Sequence, residues 1–371
     1  MLLELVNDAE AFHALAEGWR DLLADSSSDC VFLTPEWLST WWRHFADGRR
    51  LRVVVGRTGS RVDLIAPFTA RGAQLTRGKP WGTLEPLGVG SVGSDYLDVI
   101  LRRGTECEGI DRLAAWMATG GPLLTMSRIH ADAARVRELA DRLAGSGWRA
   151  HVDVNDVCPY ITLASHSWES YLRALGSEHR ANVRRRLRRL HERFDVSWDQ
   201  ARTDDARLEA LHTLIRLHQK RWETRGGSTA FHLPSLVAFH EDFTRLALQR
   251  GWLRLFVLRL DGVPAAAFYG FRYGGTFSFY QSGFDPGYAP HGVGLVMQAL
   301  AIRCAIEEGA TEYDFLHGAE PYKFLWTFQT RALGYLELYP PTARGLVSHR
   351  LTDLSRAART AVRRVAAAAS A

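Results

Sequence analysis

Cysteine is scarce in this sequence, and long hydrophobic runs are missing. The 371 residues include only four cysteines, and no two of them form a Cys-x-x-Cys pair. Scattered cysteines favour reduced thiols over disulfides and give no support to a metal site. Apolar stretches such as 53–55 and 253–257 are short and bounded or interrupted by charge, so we expect no membrane span. The N-terminus lacks the basic region and apolar core of a secretory signal, and we therefore expect a cytoplasmic protein.

The signatures of several common enzyme classes are also missing. The sequence has no Gly-x-Ser-x-Gly elbow, no Walker lysine loop and no His-Glu-x-x-His pair. It therefore gives no indication of a serine hydrolase, a P-loop nucleotidase or a zinc peptidase. The 46 Lys and Arg residues, nearly all Arg, exceed the 41 Asp and Glu residues by only five. An excess this small does not argue for DNA as a partner.

The length of the chain suits two domains. Alternating strand and helix patterns predict an α/β protein with mixed (α+β-type) sheets. We divide the sequence into an N-terminal domain, 1–155, a C-terminal domain, 156–340, and a helical tail, 341–371. In the first domain Thr34 is placed to cap a helix that has Pro35 at its first position.

The C-terminal domain has the clearest pattern of elements. Asp261-Gly262 and Gly274-Gly275 are two-residue hairpin signals between strand-like runs. Helical spacing on either side of these hairpins completes the expected order of elements. That order is helices over 168–193, 204–223 and 233–250, strands over 253–260, 263–272 and 276–284, a helix over 292–309, a strand over 312–316, a helix opened by Pro321 and a strand over 333–339.

A glycine turn separates the last hairpin strand from the helix over 292–309. Gly292 and Gly294 permit a tight backbone turn, and the helix that begins there adds unsatisfied N–H donors and a partial positive charge. This assembly suits a pyrophosphate, although glycine turns before helices are also common as connections with no ligand-binding role. The predicted cofactor-binding residues are His291, Gly292, Val293, Gly294 and Leu295.

Two motifs in this region resemble a known superfamily. Gly-x-Gly at 292–294 is similar to the pyrophosphate loop of GNAT acyltransferases, with Ala289 where that loop usually has Gln or Arg. The run Asp-Phe-Leu-His-Gly-Ala-Glu-Pro-Tyr-Lys at 314–323, followed by Trp326, resembles the cellulose-biosynthesis-type (CelD/BcsL-type) acetyltransferases, relatives of the Fem peptidyltransferases. His317 stands where that group often has Arg, and Ala319 where it often has an acidic residue. The resemblance covers most of 30–340.

The resemblance implies two tandem GNAT-like domains, with acetyl-CoA or another acyl-CoA as donor substrate in the C-terminal one. Acyl transfer to an amine needs a proton acceptor and stabilisation of a developing oxyanion. Asp314, His317 and Glu320 cluster at the end of a predicted strand and are our candidate catalytic residues. His317 or Glu320 would take the proton, and Asp314 would orient the amine. The structural alternative for each is a cap or loop hydrogen bond.

Three further residues are candidates for contacts with the substrate. Lys323 and Trp326 lie three residues apart and would share one face of the helix opened by Pro321, where Lys323 would meet an anion and Trp326 would line a pocket. Tyr280 lies on the strand before the glycine turn and would project into the cleft. A solvated Lys, a core Trp and a core Tyr are the structural alternatives.

An arginine-rich amphipathic helix is predicted around 178–194. Arg180, Arg184 and Arg188 form one row along it, and we take Arg180 and Arg184 as substrate-binding candidates. Three interpretations remain open for this row: a solvated face, a site for cofactor or substrate phosphates, and a surface for RNA or a carrier protein.

The sequence therefore favours an acyl-CoA-dependent N-acyltransferase, without a metal, acting on a small-molecule amine or a sugar or peptide precursor. A Fem-like transferase that uses aminoacyl-tRNA is the first alternative. A non-catalytic scaffold with this fold is the second. The sequence is compatible with a monomer or a homodimer.

Overall fold

The computed structural model describes residues 1–73, 81–131, 133–223 and 231–369, with side chains up to residue 357. The chain divides into two compact units. Unit 1 comprises Met1–Asn155 and Leu333–Ala371, and unit 2 comprises Asp156–Ala332.

Unit 1 begins with alternating strands and helices. Thr34 caps the third helix by accepting the Trp37 N–H at 3.2 Å, and Pro35 is its first residue, which confirms the predicted helix start. The elements are β1 (Leu2–Val6), α1 (Ala9–Ala14), α2 (Ala16–Ala24), α3 (Pro35–Phe45), β2 (Arg49–Thr58), β3 (Arg61–Arg71), β4 (Thr83–Pro86), β5 (Ile100–Leu101), α4 (Glu106–Ala118), β6 (Leu124–His130), α5 (Ala134–Gly145) and β7 (Arg149–Thr162).

Unit 2 continues from the C-terminal end of β7. Its elements are α6 (Trp168–Ala174), α7 (Ser177–Arg193), β8 (Val196–Gln200), α8 (Asp204–Glu223), α9 (Pro234–Gln249), β9 (Leu253–Leu260), β10 (Val263–Tyr273), β11 (Thr276–Phe284), α10 (Val293–Glu307) and β12 (Glu312–Asp314), with 3-10 turns at Pro286–His291 and Lys323–Leu325. The strand order is β7-β12-β11-β10-β9-β8. The β11–β12 pair is parallel, and the other pairs from β7 to β8 are antiparallel.

The sheet of unit 2 carries helices on both faces. Val183 and Leu190 of α7 pack with Val296 and Ile302 of α10 in a core that includes Phe268. On the other face α9 contributes rings that contact β10. These mixed sheets confirm the predicted fold class.

Two predicted helices of unit 2 differ from the structure. The pattern over 168–193 forms two helices, α6 and α7, because Leu175 adopts an extended conformation and Gly176 is the cap of α7. Pro321 does not open a helix; only a single 3-10 turn follows, at Lys323–Leu325. The chain leaves helical geometry there because Trp326 is buried and the hydroxyl of Thr327 donates to the Tyr160 carbonyl at 2.6 Å.

The chain then returns to unit 1 with β13 (Thr330–Tyr339) and α11 (Ala343–Ala369). β13 pairs antiparallel with β6 and completes the order β1-β2-β3-β4-β6-β13, with β5 beside β3. Residues 333–340, assigned from sequence to the C-terminal domain, therefore group with unit 1 instead. None of the helices in the described residues combines the length and the hydropathy that crossing a bilayer requires.

Candidate functional site

The sheet of unit 2 opens beside β11. β11 and β12 pair only over 276–278 and 312–314, and β12 ends at Asp314. β11 continues for six more residues to Phe284, paired on its other edge with β10. β12 therefore supplies no partner for the facing edge of β11 over 279–284, and main-chain groups on that edge can pair with a ligand.

β11 carries a bulge within this stretch. Gly270 pairs with Phe279 and Tyr269 pairs with Gln281, so Tyr280 is the extra residue. A bulge leaves its extra residue outside the ladder and changes which side chains face each side of the sheet. Beyond it, Ser282 and Phe284 face the same side as Ala266, in register with Phe268 and Ala266 respectively.

A cavity of about 450 Å³ lies at this opening. Its walls come from β10 and β11, the turn before α10, the first turns of α10, the C-terminal end of α8 and the loop after β12. The lining residues are Arg221, Ala266, Ser282, Gly283, Phe284, Ala289, Gly292, Val293, Gly294, Leu295, Met297, Gln298, Pro321, Tyr322, Leu325 and Trp326.

The glycine turn forms one end of the cavity. Gly292 has φ +74° and is the N-cap of α10, a left-handed conformation that L side chains rarely adopt. The first helical bond of α10 runs from the Val296 N–H to the Gly292 carbonyl at 3.0 Å. Helix geometry leaves the N–H groups of 293–295 outside the ladder, at the positive end of the helix dipole. This wall of the cavity is therefore built to receive an anion.

Three basic side chains surround the turn. Arg221 lines the cavity, and its guanidinium carbon lies 4.7 Å from the centroid of the Phe284 ring. Arg186 of α7 packs on Gly292 and donates to the Pro290 carbonyl. Lys220 forms an ion pair with Asp285 at 2.6 Å, and Asp285 in turn accepts the Gly287 N–H. None of these three residues was predicted from the sequence as a site residue, because positive charge is their only signal there.

The predicted cofactor residues are mostly brought together. Gly292, Val293, Gly294 and Leu295 all line the cavity. His291 is not among the lining residues, and its ring packs edge-on against Phe194 with centroids 5.0 Å apart.

The loop after β12 is organised by Lys323. Its buried ammonium donates to the carbonyls of Leu316, His317 and Gly318 at 3.2, 2.7 and 3.2 Å, and lies 2.9 Å from Glu320 Oε2. An ammonium has three hydrogens, so these partners leave none for a substrate phosphate. Lys323 therefore fixes the loop, and the geometry favours this role over the predicted contact with an anionic ligand.

The three candidate catalytic residues lie around this loop and not on the cavity wall. Asp314 is buried, accepts the Leu316 N–H at 2.8 Å and lies 3.6 Å from Arg331. Glu320 is tied to Lys323, and His317 is half-buried. The geometry favours the loop-bonding alternative for Asp314 and Glu320. Trp326, in contrast, does line the cavity, with its ring edge-on to His179 at 4.7 Å.

Tyr280 and the arginine row lie away from the cavity wall. The Tyr280 hydroxyl is 3.4 Å from His240 Nε2, on the face of the sheet that α9 covers. Arg180 donates to the Arg173 carbonyl and Arg184 pairs with Glu169 at 2.7 Å. Of the arginines on α7, the structure places Arg186 at the glycine turn, because it projects from a different side of the helix than the predicted row.

In the described parts of the chain, no three His, Cys, Asp or Glu side chains are grouped as metal ligands would be. Desolvation and the charge of Glu320 disfavour the phenolate of Tyr322, on the cavity wall, and raise its pKa, so this phenol is neutral at pH 7.

Comparisons with known proteins agree on this fold. Residues 177–324 match the family model described as "Acetyltransferase (GNAT) domain". No match was found among curated protein sequences. The crystal structure of FemX is similar at 11% identity with a TM-score of 0.63, over 91% of this chain and 97% of FemX.

Two further solved structures are similar over most of the chain. A conserved protein of unknown function from Bacteroides thetaiotaomicron has 11% identity and a TM-score of 0.58, over 90% of this chain and 99% of that one. L-PGS from Bacillus licheniformis has 13% identity and a TM-score of 0.53, over 92% and 95%. At these identities the similarity shows the fold alone. The chain therefore has a mixed α/β, GNAT-like fold, and its segment 177–324 matches the GNAT acetyltransferase domain.

Proposed function

We propose that unit 2 is an acyl-CoA-dependent N-acyltransferase that holds the donor in the cavity beside β11. The observation that carries the proposal is the position of the α10 N-terminus at one end of that cavity. The pyrophosphate of the coenzyme would accept hydrogen bonds from the N–H groups of 293–295. Arg221, at the cavity wall, and Arg186, behind Gly292, would add positive charge. The match of 177–324 to the GNAT domain supports this assignment.

The pantetheine arm would lie along the open edge of β11, where main-chain groups over 279–284 can pair with its amides. This places the thioester near the bulge at Tyr280. A main-chain N–H freed from the ladder by the bulge is the group we assign to the developing oxyanion. The apolar walls formed by Phe284, Met297 and Trp326 suit an acetyl or longer acyl group and the methylene groups of the pantetheine arm next to it.

The transfer itself needs no covalent enzyme intermediate. The amine nitrogen attacks the thioester carbonyl carbon, and a C–N bond forms. The tetrahedral intermediate then expels the coenzyme by breaking the C–S bond, and the coenzyme leaves as a thiolate. The nitrogen loses one proton, which ends on the thiolate directly or through solvent. Acyl-CoA is a cytoplasmic metabolite, and we infer that the reaction takes place there.

Isothermal titration calorimetry with acetyl-CoA and longer acyl-CoAs tests the donor assignment. Replacing Arg221 by Leu should weaken binding by about 10- to 150-fold, since a hydrogen bond to a charged group contributes about 1.5–3 kcal/mol. Arg180→Leu is the matched control, because Arg180 bonds a carbonyl away from the cavity. If no acyl-CoA binds, or if both variants bind like the wild type, the donor assignment is wrong.

Activity assays on the same protein distinguish two other functions from the proposed one. A Fem-like transferase would use aminoacyl-tRNA as donor, and its transfer activity would fall steeply with added salt. The similarity to FemX concerns the fold and does not by itself favour this donor. A non-catalytic scaffold would bind acyl-CoA and release no free thiol with any amine offered.

A further inference from the structure

A cluster of histidines and aromatic rings lies on the face of the unit 2 sheet opposite the cavity. His218 and Trp222 belong to α8, and Phe231 follows in the chain. His240 belongs to α9, and Tyr280 is the bulge residue of β11. The ring centroids of His218 and Phe231 are 5.5 Å apart, those of Phe231 and His240 5.3 Å, and those of His240 and Tyr280 5.3 Å. The donor site proposed above uses none of these side chains.

The two histidines of the cluster differ in their hydrogen bonding. His240 has Tyr269 Oη 3.4 Å from Nδ1 and Tyr280 Oη 3.4 Å from Nε2. His218 is only 2% exposed, yet its Nδ1 is buried without a hydrogen-bond partner among the residues that the structure describes. Buried polar atoms are nearly always paired. His218 Nδ1 is therefore available to accept a hydrogen bond from a ligand.

His218 lies one strand away from the donor cavity. Gly283 lines the cavity, and a Cβ placed on Gly283 would lie 2.4 Å from the His218 main-chain nitrogen. α8 therefore packs on the back of the strand segment along which the donor would lie. Because β12 ends at Asp314, it leaves the edge of β11 open at this level. An acceptor on the α8 face would have to reach the thioester through this opening.

We propose that His218, Trp222, Phe231 and Tyr280 form the binding site for the acceptor amine, with His218 Nδ1 accepting a hydrogen bond from the amine N–H. The aromatic rings would contact the hydrocarbon part of the acceptor, which is therefore a primary amine carried on an apolar or aromatic group. This proposal rests on the proposed function. His218 acts here as a binding residue that orients the nitrogen lone pair toward the thioester carbonyl.

The protonation state of the cluster is compatible with this role. Burial, aided by the charge of Arg221, lowers the pKa of His218 to about 4, so the ring is neutral at pH 7. With its hydrogen on Nε2, a neutral ring presents a lone pair at Nδ1. Burial also lowers the pKa of His240 to about 3, so its ring is neutral as well and adds no positive charge to the cluster.

The kinetic test uses phenethylamine, tryptamine, glucosamine and glycinamide as probes, with acetyl-CoA as donor and release of free thiol as the readout. With the best amine, His218→Leu should raise KM for the amine about tenfold or more, while the Kd for acetyl-CoA changes less than about twofold. His218→Asn should recover most of the loss, since the Asn oxygen can take the place of Nδ1. His212→Leu is the matched control on the same helix, because His212 is partly exposed and paired with Glu241. Melting temperatures verify that each variant is folded.

The outcomes separate this inference from the proposed function. If acetyl-CoA binds and amines are acetylated, but folded His218→Leu keeps the wild-type KM, the acceptor site is wrong and the donor site stands. If no acyl-CoA binds, a titration of 15N-histidine-labelled protein with the same amines still tests the acceptor site. His218 resonances, assigned by their loss in His218→Asn, should shift on adding phenethylamine or tryptamine. If no probe amine moves them, the inference is overturned.

Discussion

The Gly294→Ala substitution tests whether Gly294 is needed for the stability of the fold or for binding of the donor. Gly294 is the second residue of α10 and is exposed on the cavity wall. Its φ is not positive, and a Cβ built on it would lie 3.4 Å from Phe284 Cδ1, which is ordinary van der Waals contact. Alanine is favoured over glycine within a helix by about 0.5–1 kcal/mol. We therefore expect Gly294→Ala to leave the free energy of unfolding unchanged or to raise it by up to about 1 kcal/mol.

The same methyl group should interfere with donor binding. It would project beside Phe284 into the space in front of the N–H groups of 293–295, where we place the pyrophosphate. Loss of one hydrogen bond to a charged group costs about 1.5–3 kcal/mol, which raises Kd by about 10- to 150-fold. We expect Gly294→Ala to bind acetyl-CoA more weakly by a factor in that range.

Calorimetric titration with acetyl-CoA gives the affinity, and thermal unfolding gives the stability of the same samples. Gly176→Ala is the control, because a Cβ on Gly176 meets no atom within 4 Å and Gly176 does not line the cavity. Wild-type affinity in Gly294→Ala would refute the placement of the phosphates at the start of α10. A loss of both stability and affinity would show instead that Gly294 is needed for packing.

Three further predictions concern stability. Gly292→Ala should lower the melting temperature by about 2–8 °C, since a non-glycine residue at φ +74° costs about 1–2 kcal/mol and its Cβ would lie 3.1 Å from Arg186 Cδ. A melting temperature equal to that of the wild type would contradict this backbone argument. Lys323→Met should destabilise the protein by about 2 kcal/mol or more, because three carbonyls, including that of Leu316, lose their donor; differential scanning calorimetry measures this, and an unchanged transition would show that the ammonium is dispensable. Burial lowers the pKa of His240 from 6.5 to about 3, so the unfolded chain binds more protons between these values and stability falls as the pH is lowered through this window. The melting temperature of His240→Phe should therefore fall less steeply than that of the wild type from pH 7 to 4. Parallel dependence on pH would refute the assignment.

The hairpins of unit 2 could be predicted because their signals are local. Asp261-Gly262 and Gly274-Gly275 have positive φ at each tip, and such turns fix the strands on either side of them. The strands Leu253–Leu260 and Thr276–Phe284 accordingly have the predicted limits. The glycine turn before α10 could be predicted for the same reason, because the glycine itself indicates a position that can adopt a left-handed conformation.

The loop after β12 could not be predicted in the same way. Proline followed by Tyr-Lys-Phe-Leu-Trp is compatible with a helix start, and nothing in the local sequence opposes it. The turn ends where Trp326 is buried and Thr327 bonds the Tyr160 carbonyl. The loop before it is fixed by Lys323, whose partners are main-chain carbonyls that no side-chain pattern reveals. Nearly all basic residues of this chain are Arg. At position 323 the compact ammonium of Lys suits three converging carbonyls better than a planar guanidinium does. That scarcity of lysine was the only available signal.

The arginine-rich helix shows a different limit. Six arginines between 180 and 189 put positive charge on several sides of the helix, and charge alone cannot distinguish them. Packing does, because Arg186 contacts the glycine turn, through Gly292 and the Pro290 carbonyl, whereas Arg180 and Arg184 bond other groups. The arginine of α7 that adds charge to the proposed donor site is thus selected by the position of α7 against the turn, which depends on the burial of Val183 and Leu190 in the core.

The bulge at Tyr280 decides which side chains of β11 line the cavity. Phe277 and Phe279 point into the core with α10, and simple alternation would place Gln281 and Gly283 on that face as well. The extra residue shifts the phase, so that Ser282 and Phe284 take the cavity side while the back of Gly283 meets α8. At 2.4 Å from the His218 nitrogen, no Cβ fits there. The glycine and the bulge therefore depend on each other: without the bulge a side chain at position 282 would be forced against α8, and without the glycine α8 could not hold His218 one strand away from the donor cavity.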